Sequence, residues 1–149
     1  MVMNMKKLLT ILLTIPTLAF ALATTPPSVK YDYPITRVID GDTVAFKATF
    51  LPLPLKQELS VRIYGVDTPE KGAIAKCPAE AAKGAEASAF TKDQVKKSTT
   101  RQVAIMSWDK YGGRVLGDVL LDGKSLRDML IASGLAREYY GGAKASWCK

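Results

Sequence analysis

Three short segments in which apolar and polar residues alternate, at 35–39, 43–46 and 59–66, precede any helical pattern in this chain. Alternation with a period of two predicts strands that bury one face. The first two segments are separated by Asp40-Gly41-Asp42, and Asp-Gly is a favoured hairpin turn. Three consecutive strands do not fit the strand-helix-strand repeat of a parallel, doubly wound sheet.

The rest of the chain predicts two helices and two more strands. Pro78 opens an Ala-rich stretch that reaches about residue 97, and Pro is favoured in the first turn of a helix. Ser125, with Asp128 three residues later, has the pattern of a helix start, and Gly134 supplies the stop. Strands are expected at 101–108 and 114–121. The order β-β-β-α-β-β-α therefore predicts an α+β fold, a small closed antiparallel β-barrel of five strands with helices.

The N-terminus has the layout of a secretory signal peptide. Lys6 and Lys7 precede an apolar run at 8–23 that ends in Ala21-Leu22-Ala23. Sixteen residues fall short of the roughly 20 that span a bilayer, so we expect cleavage near Ala23 and export to the periplasm or the medium. An uncleaved signal that anchors the chain is the alternative. The predicted divisions are a signal at 1–23, a linker at 24–33 and one domain at 34–149.

Cys77 and Cys148 are the only cysteines. An even number of cysteines in an exported chain favours a disulfide, here a single bridge from the middle of the chain to its C-terminal end. Two unpaired thiols are the alternative.

The chain contains no histidine, and Lys plus Arg number 21 against 14 for Asp plus Glu, which gives a net charge of +7. The absence of histidine excludes a Ser-His-Asp triad, a Cys-His pair and an imidazole base. Catalysis by this chain has to use carboxylates, Arg, Lys, Tyr, hydroxyl groups or a metal held by oxygen ligands.

Oxygen-bearing side chains cluster at two predicted strand ends. Asp40 and Asp42 lie in the first turn, and Asp67, Thr68 and Glu70 follow the third strand. Hard oxygen ligands without histidine or thiolate suit Ca²⁺ or Mg²⁺. If the two strand ends are neighbours, their carboxylates repel one another unless a cation is present. Taken alone, Asp-Gly-Asp also fits an ordinary hairpin turn.

Two arginines complete a pattern suited to phosphoryl chemistry. Arg62 is on the third predicted strand and Arg114 begins the fifth. Guanidinium groups bind phosphate oxygens in a bidentate manner and stabilise the charge that develops on them. Lys110 and Tyr111, in the turn before Arg114, could contact a phosphate and stack on a base. Each of these residues, taken singly, also fits a surface ion pair or a turn position.

Five blocks of sequence, in this order along the chain, resemble the staphylococcal nuclease (thermonuclease) family. They lie at 38–44 (VIDGDTV), 61–70 (VRIYGVDTPE), 86–92 (EASAFTK), 109–114 (DKYGGR) and 134–136 (GLA). The resemblance covers roughly residues 35–137.

This resemblance implies a five-stranded OB-fold barrel with helices and a Ca²⁺-dependent hydrolase that cuts single- and double-stranded DNA and RNA to 3′-phosphate ends. Apart from the resemblance, a monomer without a stable protein partner is the default expectation for a small barrel with no evident interface pattern. By position, the resemblance implies Asp42, Asp67 and the Thr68 carbonyl as Ca²⁺ ligands, Glu70 as general base or water-orienting group, Arg62 and Arg114 as phosphate ligands, and Lys110 and Tyr111 as nucleotide contacts.

Three features depart from the family pattern. Gly112-Gly113 stands where the best-known member has one glycine, a Pro-Leu segment at 51–55 lengthens a loop, and the family's third helix is expected to be missing or vestigial. Tyr139 and Tyr140 correspond only approximately to the family's tyrosines and receive no role. The alternative function is a non-catalytic nucleic-acid-binding OB module. A third possible function is that of a basic surface protein held on anionic lipid by its uncleaved signal peptide.

Overall fold

The computed structural model describes residues 28–148, so the predicted signal peptide at 1–23 lies outside the described residues. In residues 28–148, no helix is long and apolar enough to cross a membrane. The strands are β1 (Val29–Tyr31), β2 (Ile35–Asp40), β3 (Thr43–Lys47), β4 (Glu58–Ile63), β5 (Val66–Asp67), β6 (Arg101–Trp108), β7 (Arg114–Leu121), β8 (Lys124–Ser125) and β9 (Arg137–Glu138). The helices are α1 (Pro78–Lys97) and α2 (Leu126–Ala132), with a short 3₁₀ helix at Gly72–Ile74.

The main sheet has the strand order β1-β6-β7-β4-β3-β2, and β8 pairs with β7 beside this path. A separate two-stranded sheet joins β5 to β9. Neighbouring strands are antiparallel except for β4 and β7, which run parallel, with Arg62 opposite Leu116. The chain passes through α1 and β6 between β4 and β7, and this connection is long enough for a parallel crossover.

The five predicted strands correspond to β2, β3, β4, β6 and β7, and both helices form where they were expected. The prediction that all strands are antiparallel is wrong, because the β4–β7 pair makes the sheet mixed. Closure into a barrel is not confirmed, since the strand path through the described residues ends at β1 and β2. Part of the segment expected to be a linker, Val29–Tyr31, instead forms β1 along the edge of β6.

Alternation along β4 and β7 separates the core from the functional face. Every second residue of both strands is buried in the core, beginning with Leu59 in β4 and Val115 in β7. The positions between them are half-buried and include Arg62 and Arg114. Because β4 and β7 are adjacent and parallel, both arginines project from the same face of the sheet.

Helix α1 packs across the turn between β2 and β3. A Cβ atom added at Gly41 would lie 2.8 Å from the Cβ of Ala87, so a glycine is needed for this close approach. The buried hydroxyl of Thr91 donates a hydrogen bond to the Gly41 carbonyl at 2.7 Å. These contacts set the position of the Asp40-Gly41-Asp42 turn.

Candidate active site

One open cavity of about 670 Å³ gathers most of the residues that the sequence singled out. Seven of the eight predicted site residues line it, namely Asp42, Arg62, Thr68, Glu70, Lys110, Tyr111 and Arg114. The eighth, Asp67, is buried next to Thr68 and is 4% exposed. Residues from four separate stretches of chain therefore meet at one place.

The two acidic strand ends lie side by side. The Thr68 hydroxyl donates a hydrogen bond to Asp42 Oδ2 at 2.7 Å, and the Thr43 hydroxyl donates one to Oδ1 at 3.1 Å. Asp42 is only 5% exposed. Asp42 and Asp67, the neighbour of Thr68 in sequence, are both buried carboxylates, and burial of such charges requires nearby positive charge.

Arg62 supplies part of that charge. Its guanidinium forms an ion pair with Asp42 and donates from Nη2 to the Val66 carbonyl at 3.4 Å. Burial lowers the pKa of Arg62, and the nearby positive charge of Arg114 lowers it further, while Asp40 and other carboxylates oppose the change. Two guanidinium groups close enough to repel each other favour an anion between them.

Arg114 reaches the cavity despite the additional glycine. Its Nε binds the Asp109 carboxylate, and its guanidinium lies 4.6 Å from the ring centre of Tyr111. The turn is anchored to β4, because the backbone N–H of Ser60 donates to the Gly113 carbonyl at 3.0 Å. Gly113 has a φ of +75°, which a glycine adopts readily. The Gly112-Gly113 pair is thus accommodated within the turn.

Glu70 stands at the solvent side of the site, with 43% of its side chain exposed. Its backbone N–H points to the buried carboxylate of Glu80, with the N and Oε1 atoms 3.4 Å apart. Glu80 Oε2 also accepts from the Lys76 N–H at 2.7 Å. Sequence reasoning missed Glu80, because an acidic residue in the first turn of a helix is common.

Asp67 lies beneath the C-terminal segment. The indole Nε1 of Trp147 donates to Asp67 Oδ2 at 3.0 Å, and Lys144 Nζ lies 2.6 Å from Oδ1. The segment is tied to the start of α1 by a disulfide between Cys77 and Cys148, whose Cα atoms are 6.0 Å apart. Sequence reasoning assigned no role to Lys144 or Trp147, since neither lies in a motif.

The donor groups fit a hard divalent cation. Asp67 Oδ1 is buried and has no hydrogen-bond partner, and the group facing it is the Lys144 ammonium, itself a cation. Buried carboxylate oxygens and the nearby Thr68 are the ligand types that Ca²⁺ accepts. Among residues 28–148, no group of three or more His, Cys, Asp or Glu side chains is assembled for a metal. Carbonyls or water would have to complete the coordination.

Tyr139 and Tyr140 also line the cavity. The Tyr140 ring packs edge-on against Tyr64, and its hydroxyl is 2.8 Å from Arg127 Nη2. The Tyr139 hydroxyl donates to the Gly142 carbonyl at 2.8 Å. After α2, residues 133–148 contain strand β9 and no helix. The tyrosines therefore belong to a non-helical segment that lines the cavity.

A family model described as staphylococcal nuclease homologue matches residues 60–146, which is more than half of the chain. The matched range contains all the predicted site residues except Asp42, which lies upstream on the neighbouring turn. It also contains Lys144. The chain belongs to the family of staphylococcal nuclease homologues.

Proposed function

We propose that this protein is an exported, Ca²⁺-dependent nuclease that hydrolyses the phosphodiester bonds of DNA and RNA to leave 3′-phosphate ends. The observation that carries the proposal is that Arg62, Arg114 and Glu70 line one cavity beside the buried Asp42 carboxylate. Two guanidinium groups for a phosphate and a half-exposed carboxylate for a water molecule are what phosphodiester hydrolysis requires.

In this mechanism, Glu70 accepts a proton from the attacking water while the water oxygen bonds to phosphorus. The bond from phosphorus to the 5′ oxygen breaks, which leaves the phosphate on the 3′ side, and the departing 5′ oxygen takes a proton from solvent to become a hydroxyl. Arg62 and Arg114 hold the non-bridging oxygens and stabilise the charge that develops on them. Asp42, Asp67 and the Thr68 carbonyl would hold Ca²⁺, which when bound supplies further positive charge to the phosphate.

Lys110 and Tyr111 are proposed to contact the nucleotide next to the cleaved bond. The Lys110 ammonium lies 5.1 Å from the Tyr111 ring centre, and the Tyr111 side chain is 55% exposed at the mouth of the cavity. An exposed ring beside two cations can stack on a base while the cations bind phosphates. This recognition uses features that all nucleotides share, so we expect little sequence preference.

A non-catalytic nucleic-acid-binding module is the second candidate. It is favoured by the ion pairs of Asp42 with Arg62 and of Asp67 with Lys144, which already neutralise the carboxylates without a metal. Such a protein would bind phosphates through its basic groups and leave them uncut.

The deciding experiment measures cleavage of labelled single-stranded DNA with Ca²⁺ or with a chelator. Glu70→Gln is compared with the parent and with Glu86→Gln, which makes the same change at an exposed position on α1. We expect cleavage that needs both Ca²⁺ and Glu70, with nucleotide binding retained in Glu70→Gln. Binding without cleavage by the parent protein would favour the second candidate, and full activity of Glu70→Gln would refute the assignment of the base.

Export after cleavage near Ala23, a monomeric state and closure of the main sheet into a five-stranded OB barrel remain part of the proposal. N-terminal sequencing of the protein recovered from outside the cytoplasm tests the first of these. A mature chain that begins at Thr24 would support export, and a chain retained with Lys6 and Lys7 would favour the anchored alternative.

A further inference from the structure

The C-terminal segment, residues 144–148, places a cation of the chain itself on a carboxylate proposed to bind the metal. Lys144 Nζ lies 2.6 Å from Asp67 Oδ1 and 3.8 Å from Glu70 Oε1. The ammonium therefore bridges a buried carboxylate and the proposed catalytic base. The oxygen that it covers is the one that lacks any hydrogen bond.

The position of the segment is fixed by contacts on both sides of Trp147. The Trp147 ring lies 3.7 Å from the Arg137 guanidinium, and its N–H donates to Asp67 Oδ2 at 3.0 Å. The next residue, Cys148, is bonded to Cys77. Trp147 thus orients the Asp67 carboxylate so that Oδ2 is engaged and Oδ1 is turned to Lys144.

Lys144 is held less firmly than Trp147. Its side chain is 41% exposed, and its ammonium is 5.7 Å from the Tyr139 ring centre, a second favourable position for a cation. Leaving Asp67 would return the ammonium to water at small cost, whereas the indole would lose a partly buried hydrogen bond. The Trp147 indole therefore fixes the orientation of the Asp67 carboxylate, whereas the Lys144 ammonium neutralises that carboxylate and can leave it.

We propose that Lys144 and a divalent cation exchange at Asp67, with Trp147 as the positioning residue that keeps Asp67 ready for either. The inference relies on the proposed function only for the identity of the cation, Ca²⁺. Binding of Ca²⁺ displaces Lys144 from Asp67 and, because the ammonium also faces Glu70, releases the catalytic base at the same time. Without Ca²⁺, Lys144 neutralises both carboxylates and the site is inactive.

The test is a calorimetric titration of the full chain with Ca²⁺ alone, without nucleic acid. Lys144→Met keeps the length of the side chain and removes the competing charge, so we expect Ca²⁺ to bind about tenfold more tightly. Trp147→Phe keeps an aromatic ring and removes the N–H, so we expect binding roughly tenfold weaker. Lys124→Met removes one charge from an exposed position on β8 and should change the affinity little.

Opposite shifts in the first two variants support the exchange, because a purely structural role of the segment would weaken binding in both. Equal affinity of Lys144→Met and the parent, or an equal gain in Lys124→Met, would overturn it. Opposite shifts in a protein that does not cut DNA would uphold the exchange and refute the nuclease assignment. Cleavage that depends on Ca²⁺, combined with an unchanged Ca²⁺ affinity in Lys144→Met, would uphold the nuclease assignment and refute the exchange.

Discussion

Gly84 in helix α1 lies directly against the backbone carbonyl of Glu70, so close that a Cβ atom at residue 84 would overlap it. The same Cβ would lie 2.8 Å from the backbone N of Lys71. Because these neighbours are backbone atoms, they cannot move aside as a flexible side chain could. The approach of α1 to this loop, and with it the position of Glu70, depends on the absence of a side chain at residue 84.

Gly84→Ala is expected to destabilise the protein and to lower its activity. In a helix interior this change usually stabilises by about 0.5–1 kcal/mol, but here the steric overlap should cost about 1–3 kcal/mol. Thermal unfolding and kcat on single-stranded DNA measure the two effects. Gly112→Ala is the control for stability, since nothing lies within 4 Å of a Cβ at that position. A more stable Gly84→Ala protein would contradict the packing argument.

Asp109→Asn is expected to impair catalysis through Arg114. The Asp109 carboxylate binds Arg114 Nε and also accepts from the Lys110 N–H at 2.6 Å. A neutral amide would hold the guanidinium less firmly, and misplacement of a catalytic group costs roughly ten- to a hundredfold in rate. Steady-state kinetics should show the loss mainly in kcat. Asp93→Asn, which removes an ion pair with Lys97 on the surface of α1, should leave kcat unchanged.

Binding of nucleic acid is expected to weaken steeply with salt and to be insensitive to base sequence. If Arg62 and Arg114 together neutralise the phosphate that is cleaved and Lys110 neutralises a neighbouring one, the slope of log K against log salt for single-stranded DNA is about −1.4. Titrations with Glu70→Gln, which keeps the substrate intact, measure this slope. Lys110→Gln should reduce its magnitude by about 0.7. A sequence preference that persists at high salt would argue for base readout instead.

Glu58 is expected to contribute to stability above the acid range and to lose that contribution at low pH. Its carboxylate accepts from Arg37, Lys56 and Thr36, and the contact with Arg37 is the main reason that its pKa falls from 4.5 to about 2. A pKa lower in the folded than in the unfolded protein means stabilisation that is complete above 4.5 and lost as the pH falls towards 2.

The prediction for Glu58→Gln follows from the lowered pKa of Glu58 in the folded protein. Its melting temperature should be below that of the parent at pH 7, and the difference should shrink between pH 4.5 and pH 2. Glu86→Gln, at an exposed position without an ion pair among the described contacts, serves as control. A difference in melting temperature that stays constant with pH would show that the ion pairs of Glu58 do not contribute.

Local patterns were sufficient to predict most of the elements. The alternation in 59–66 corresponds to β4, although a turn at 64–65 ends that strand before β5, which joins a different sheet. The Ser125 and Asp128 pattern corresponds to the start of α2, where the Asp128 N–H donates to the Ser125 hydroxyl at 3.2 Å. These features depend on neighbours a few residues away, so they can be read from the chain directly. The candidate site residues also came from short motifs, which likewise depend only on residues that are close in sequence.

The pairing of β4 with β7 could not be read in this way. Apolar and polar residues alternate in both strands, and this pattern is the same for parallel and antiparallel neighbours. The local sequence therefore could not test the expectation that the sheet is antiparallel. The partner of Glu70 in α1, Glu80, was hidden for a related reason, because its sequence context resembles an ordinary helix start. Each of these features depends on which distant segments pack together.

The amino-acid sequence alone determined the two helices and five of the strands, the basic charge and the residue types suited to phosphate and metal, since each is a property of the chain or of its short-range order. Only the tertiary structure decided that Lys144 and Trp147 lie on Asp67. Trp147 is 80 residues away from Asp67 in sequence and is brought there by the packing of the C-terminal segment and by the Cys77–Cys148 bond. Contacts over such separations arise from the burial of the whole domain, and no short pattern encodes them.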